Sequence, residues 1–301
     1  MVLLKNMSSK TFFILVFIQT LFGYTIFDHI RDIKNSSSNF VSSYNQDKEV
    51  YNFSNPACNS INNKYLYSSL GTHFNGILNT QQLFFNLNTN FLDNLNIAFL
   101  RSSIDDINNT TDAWNDNGDG IININEIDYN EISTFNHNTL GLILSKPFVK
   151  NNFQLGVNSK ISISNLVGEH SFSTSFDLGI YQNIKKINFG LVIKDIFPHT
   201  YWTTGKIEKG VTSLMLGSSF NIGSFNASVD LDPFLEEYFI GLEYNYNSLV
   251  SVNFSNSTFE KFYLGLLINF EKFSIGYSFA LPNQEELGPN QQIILGLNKF
   301  F

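Results

Sequence analysis

A single cysteine, Cys58, in 301 residues excludes an internal disulfide and a cysteine-based metal site. Cys58 also lies too far behind the N-terminal apolar run to be a lipid-anchored first residue. Charge is scarce as well: 15% of residues are charged, against about 25% in an ordinary soluble domain. With 18 basic and 26 acidic residues, net charge -8, no basic stripe is present and nucleic acid is excluded as a partner. No nucleophile elbow, phosphate-binding glycine loop or convergent carboxylate pair occurs, so no enzymatic activity is expected. His29, His73, His137, His170 and His199 are scattered, with none at metal spacing. Beyond the first 25 residues there is no run of apolar residues long enough for a helix to span about 30 Å of hydrocarbon.

Aromatic residues are abundant, at 15%, with 31 Phe and 13 Tyr. A protein whose outer surface is covered by lipid needs this exchange of charge for aromatics, although an AT-rich genome produces part of the same bias. Periodicity decides between the two. In residues 171–181, Phe172, Phe176, Leu178 and Ile180 alternate with Ser171, Ser173, Ser175, Asp177 and Gly179, which gives one face for lipid and one for water. The same alternation carries Ile187, Phe189, Leu191 and Ile193, then Phe225, Ala227, Val229 and Leu231, then Tyr238, Ile240, Leu242 and Tyr244.

Strands are expected at 62–72, 79–88, 91–102, 138–147, 152–166, 171–183, 186–197, 210–222, 224–232, 237–247, 248–255, 259–270, 271–281 and 291–301. The fold class is therefore all-β, a transmembrane antiparallel β-barrel of about 14 strands with an N-terminal hatch or periplasmic segment. Gaps after even strands are short, whereas 103–137, 198–209 and 282–290 follow odd strands, the pattern of short inner turns and long outer loops. The last stretch places Ile293, Leu295, Leu297 and Phe301 on one parity and Gln292, Gly296 and Asn298 on the other, with Lys299 breaking the apolar face. A chain end on an aromatic is how bacterial outer-membrane barrels commonly close, and a soluble β-sandwich with an amphipathic last strand is the alternative.

Residues 1–25 carry Lys5 and Lys10 before Thr11-Phe-Phe-Ile-Leu-Val-Phe-Ile-Gln-Thr-Leu-Phe-Gly23 and read as a signal peptide, with cleavage near Gly23 or Thr25 and an uncleaved anchor as the alternative. Residues 26–59 lack alternation and are expected either inside the barrel as a hatch or as a periplasmic tail; 60–301 form the barrel. Fourteen strands enclose a lumen too wide for strand side chains to fill, so something must plug it or pass through it.

The segment Asn115-Asp-Asn-Gly-Asp-Gly-Ile-Ile-Asn-Ile-Asn-Glu126 has the spacing of a twelve-residue calcium loop. Asn115, Asn117 and Asp119 stand at positions one, three and five, Gly120 at the turn, the Ile121 carbonyl at seven and Glu126 at the bidentate end. A structural calcium ion is the one cofactor this implies; a metal-free Asn/Asp/Gly turn is the alternative. Phe197, Pro198, Tyr201 and Trp202 cluster behind the seventh strand, as a ligand mouth, a docking patch or an aromatic girdle.

Phe53-Ser-Asn-Pro-Ala57 before the first strand resembles the hallmark of the PorV/PorQ family of outer-membrane barrels, within the wider FadL-like group. Residues 38–44, Phe176-Asp-Leu-Gly-Ile-Tyr181, Phe189-Gly-Leu-Val-Ile-Lys-Asp195, Gly241-Leu-Glu-Tyr244 and Ile275-Gly-Tyr-Ser-Phe279 resemble family stretches in the same order, so the likeness covers roughly 38–301. The chain departs from the family in lacking the glycine-rich run after export and in carrying Cys58 and Asn59 after Asn-Pro-Ala. The resemblance implies an accessory protein of type IX secretion that receives or shuttles secreted cargo, with cargo proteins or translocon components as partners besides outer-membrane lipid. The FadL-like alternative is a transporter of hydrophobic small molecules across the outer membrane. That alternative requires an apolar patch on the lumen face and a break in one strand wall, whereas the inward positions read mostly as Ser, Asn, Gly and Lys.

Overall fold

The computed structural model describes residues 53–58, 65–87, 94–110, 112–115, 118, 124–150, 153–247 and 249–298. The expected signal peptide, most of 26–59, Lys299 and Phe301 lie outside these residues. The strands run β1 Tyr65–His73, β2 Leu78–Leu87, β3 Leu95–Asn109, β4 Ser133–Lys150, β5 Phe153–Leu166, β6 Glu169–Ile184, β7 Ile187–Trp202 and β8 Ile207–Lys209. They continue with β9 Ser213–Ile222, β10 Phe225–Asp232, β11 Glu237–Tyr246, β12 Val250–Ser257, β13 Glu260–Asn269, β14 Phe273–Pro282 and β15 Asn290–Asn298.

Each strand pairs antiparallel with the next except β8, which pairs with β7 alone; β7 also pairs with β9, and β1 pairs with β15 from Tyr65↔Asn298 to Thr72↔Gln291. That last ladder closes a barrel of 14 strands; β8 stands outside the closed ring and adds only to the upper end of β7. Closure follows from the solvent: hydrocarbon offers no hydrogen bonds, so a strand edge facing lipid would leave a row of unpaired N–H and C=O groups. The protein resides in the outer membrane.

Alternation dictates which side chains face lipid. On β11, Tyr238, Ile240, Leu242 and Tyr244 are exposed while Glu237, Gly241 and Glu243 are buried. On β15, Ile293, Leu295 and Leu297 face outward as the sequence pattern predicts, and Gln292 and Gly296 face inward. The inward parity of this strand also contains Ile294, which is buried.

Two of the larger boundary differences from the sequence pattern have one reason: bulges shift the alternation. β3 and β4 continue to pair through Ile107↔Phe135 and Asn109↔Ser133, beyond a register shift where Asp106 has φ 57. The outer connection thus narrows from 103–137 to 110–132. β7 runs to Trp202 rather than 197, across Asp195 and Phe197, each at φ 53. Phe197, Tyr201 and Trp202 consequently belong to a strand and not to a free loop, with Phe197 71% exposed. The expected strand 210–222 starts at Ser213, after the separate β8. β3 to β7 are 14 to 18 residues long, while β9 to β15 are 8 to 10, so one side of the barrel is raised on the end that carries the long connections. By the barrel habit that end is external.

Because lipid covers the outer face, an arginine there costs most at mid-strand. Leu242→Arg is expected to lower unfolding free energy in lipid vesicles by about 2–4 kcal/mol, and Tyr246→Arg, at the strand end, by about 0–1 kcal/mol. Equal losses in urea titrations of the two variants would contradict the assigned membrane depth.

Candidate functional site

Residues 53–58 lie against the inner wall on β4, β5 and β6. Asn55 organises the segment. Its Oδ1 accepts the Ala57 N–H at 3.0 Å and its carbonyl accepts the Cys58 N–H at 3.0 Å, which holds Pro56–Cys58 in a short 3₁₀ turn. Its Nδ2 donates to the Ile180 carbonyl on β6 at 3.0 Å, and Asn158 Nδ2 on β5 donates to the Phe53 carbonyl at 3.2 Å. Each such bond stabilises the seat by about 1 kcal/mol net. Asn55 and Ala57 are fully buried.

The seat needs backbone-to-backbone approach. Gly156 and Gly179 face one another in register on β5 and β6. A Cβ on Gly156 would lie 2.2 Å from the Pro56 carbonyl carbon, and one on Gly179 would lie 2.2 Å from Asn55 Oδ1. Only glycine leaves room for the turn at both places. Of the segment 26–59, residues 53–58 are thus seated on the inner wall, and the glycine window that seats them is the part that the sequence pattern did not single out; its signal is a glycine at the inward parity of two successive strands.

Above the window stands a buried charge cluster. Lys160 Nζ lies 2.7 Å from Asp177 Oδ1 and 3.0 Å from Asp195 Oδ1. Asn158 Nδ2 donates to Asp177 Oδ2 at 2.9 Å, Ser175 Oγ donates to Asp195 Oδ1 at 2.9 Å, and the Asp195 N–H donates to Asp177 Oδ1 at 2.9 Å. Buried charges persist where, as here, each is paired and hydrogen-bonded. The Asp195 N–H is spent on a side chain instead of a strand partner, and the wall is irregular at that point. The β6–β7 register shifts between Thr174 and Phe176 and again between Phe176 and Leu178, while the β7–β9 ladder stops at Lys194↔Ser213. The wall nevertheless stays bridged: β6 and β7 pair again at Phe176↔Ile196 and Thr174↔His199, β8 pairs with β7 beyond Asp195, and the Gly210 N–H donates to the Pro198 carbonyl at 2.9 Å, so among the described residues this is a bulge and not the strand break that the transport alternative requires.

An inner apolar patch is present on a face whose positions read mostly as Ser, Asn, Gly and Lys. Tyr65 and Tyr67 on β1, Phe84 on β2, Ala98 and Leu100 on β3, Ile143 on β4 and Ile294 on β15 are buried together, with Phe53 packed onto them. The Phe53 and Phe84 rings are 5.1 Å apart at their centroids. Register places Tyr67, Phe84, Ala98 and Ile143 in one transverse row, ending at Lys160. The Tyr67 ring crosses Gly296, where a Cβ would lie 2.2 Å from it. The sequence does carry a signal for this patch: Leu83-Phe84-Phe85, Ile97-Ala98-Phe99-Leu100, Leu142-Ile143-Leu144 and Ile293-Ile294-Leu295 are unbroken apolar runs, which make both faces of a strand apolar.

Of the candidate calcium ligands, Asn115 and Glu126 are described and Asn117, Asp119 and Ile121 lie outside the described residues. The first and last positions of the loop are brought together: the Asn115 N–H donates to the Glu126 carbonyl at 2.9 Å, and Trp114 forms an antiparallel bridge with Ile127. Trp114 Nε1 donates to Glu126 Oε2 at 3.2 Å. Among the described residues no group of three His, Cys, Asp or Glu is placed to hold a metal.

No family model and no curated protein matches the chain. Among solved structures, the Pseudomonas putida toluene transporter TodX is similar at 11% identity and TM-score 0.50, over 89% of this chain and 98% of that one. A second crystal structure of TodX aligns at 10% identity and TM-score 0.46, over 82% and 92% of the two chains. KdgM porin in complex with disordered oligogalacturonate aligns at 6% identity and TM-score 0.36, over 79% and 99%. At these identities the likeness is one of fold, that of an outer-membrane β-barrel.

Burial pushes the Cys58 thiol well above its ordinary pKa, with the Asp230 carboxylate adding to the effect, so the unreactive thiol form dominates while the turn is seated. Gly179→Val is expected to unseat Asn55 and Pro56 and to raise the rate of Cys58 alkylation by at least about tenfold in folded, heat-modifiable protein. Unchanged alkylation in that variant would show that the glycine window does not hold the turn.

Proposed function

We propose that this protein is an outer-membrane transporter of hydrophobic small molecules, with residues 53–58 as its hatch. The observation that carries the proposal is the apolar patch on the lumen wall under Phe53, since a lumen serving only as a scaffold or a water-filled pore gains nothing from burying tyrosine, phenylalanine and isoleucine there. The barrel binds and releases in this proposal and performs no catalytic step.

A second reading, reception of secreted cargo in type IX secretion by a PorV-like protein, is favoured by the raised external wall of β3 to β7 and the 110–132 connection, which together offer a partner surface above the membrane. Calcium belongs to either reading as a structural ion in that connection, held by Asn115, Asn117, Asp119, the Ile121 carbonyl and Glu126.

Purified protein in lipid nanodiscs is expected to bind tritiated dodecane saturably, and Phe84→Asn to weaken that binding by about tenfold or more. No saturable binding, together with co-purification of secreted proteins from native membranes, would sink the transport proposal and leave cargo reception in its place. For the external connection, millimolar calcium is expected to slow chymotrypsin cleavage after Trp114 and Tyr129 relative to excess chelator, and Glu126→Gln to abolish the difference. Identical cleavage rates with and without calcium would remove the metal from the proposal.

A further inference from the structure

The inner apolar patch is bordered by amides. One row toward the short-turn end of the barrel, Asn86 and Asn96 pair in register on β2 and β3, with Ser145 of β4 opposite Asn96. One row the other way, Gln82 stands opposite Leu100. Asn96 is fully buried, Gln82 is 4% exposed and Asn86 is 6% exposed. Asn86 Nδ2 donates to Asn96 Oδ1 at 2.6 Å, and the Tyr65 hydroxyl donates to the same oxygen at 3.3 Å. Among the described residues, Asn86 Oδ1, Asn96 Nδ2 and Gln82 Nε2 have no hydrogen-bond partner.

A buried amide atom left unpaired is destabilising, so three of them on the border of one apolar patch call for a partner. Turning both asparagine amides over would not change the count: one bond joins the pair, and one N–H₂ and one C=O remain. The vacant set therefore contains donors and an acceptor together. None of the patch or border residues is charged; at the end of the apolar row stands Lys160, bound to Asp177 and Asp195. An ionised head would enter a patch whose own residues supply no counter-ion, which is unfavourable for a buried charge.

We propose that this patch and its amide border form a subsite for an uncharged amphiphile: an alkyl or aryl tail against Phe84, Ile143 and Tyr67, in the place Phe53 takes, and a head that both accepts and donates hydrogen bonds, such as a hydroxyl or a carboxamide. The inference rests on the transport proposal and narrows its substrate class. A pure hydrocarbon would fill the tail position but leave the amides unpaired, and a carboxylate could use the donors but would strand its charge.

The test is a comparison of three tritiated ligands of one chain length, dodecane, dodecanol and dodecanoate, on full-length protein in nanodiscs at neutral pH. Dodecanol is expected to bind at least about tenfold more tightly than either of the others. The double variant Asn86→Leu/Asn96→Leu is expected to bring the dodecanol-to-dodecane affinity ratio to near one. If dodecane binds but dodecanol is no tighter, the amide border selects nothing and this inference is overturned while transport of hydrophobic molecules stands. If dodecanoate is the tightest ligand, the head is an anion and the inference is likewise overturned. If none of the three binds saturably, the transport proposal itself fails. The ligand series on the unaltered protein decides the matter even if the double variant does not fold.

Discussion

The β1–β15 ladder is the interaction on which everything else rests. A bilayer supplies no partner for a backbone N–H or C=O, so an open sheet of these strands could not exist there, whereas the closed ring satisfies each strand on both edges. Closure also fixes the division of side chains. Once the ring is complete, a side chain of one parity can meet only lipid and a side chain of the other only the lumen, and register cannot slip without exchanging the two sets.

With the outer face committed to lipid, the inner face is free to vary, and its variation is organised. Rows of the barrel change character from level to level: a polar row of Asn86, Asn96, Ser145, Asn158 and Asp177, then an apolar row of Tyr67, Phe84, Ala98 and Ile143 that ends on Lys160. Residues 53–58 touch both. Phe53 covers the apolar row, and its carbonyl accepts from Asn158, which also holds Asp177 of the charge cluster. The turn, the glycine window, the ion cluster and the bulged segment of β7 are thus linked by direct contacts through one asparagine, so displacement of the turn would remove a partner from the group that orders the wall beside it.

Departures from regular strand geometry concentrate in that same sector. Asp195 and Phe197 adopt left-handed backbone angles, and the Asp195 N–H is satisfied by a carboxylate and not by a neighbouring strand. Such conformations cost about 1–3 kcal/mol each and persist where their surroundings over-determine them. Here the Lys160 ammonium, Ser175, Thr212 and Asp177 all hold Asp195. The regular strands β9 to β15 have the shorter lengths that a bilayer requires and complete the wall.

The sequence by itself determined the barrel: the two-residue period of apolar and small polar side chains gives the number of strands, their lipid-facing residues and nearly all their boundaries, because burial in lipid selects one parity directly. It also marked Asn55-Pro-Ala57 as a special segment before β1 and the calcium-like spacing from Asn115 to Glu126. Tertiary structure alone decided the rest. That Gly156 and Gly179 form one window, that Lys160 bridges two aspartates on different strands, and that aromatic and aliphatic side chains from five strands form a single patch are consequences of register around a closed ring. Residues far apart in the chain become neighbours only when the ring closes, and a period of two says which face a residue occupies but not at which level of the barrel it stands. Where bulges shift the phase, as at Asp106 and Asp195, even the face was hidden, because the alternation that carries the signal is what a bulge interrupts.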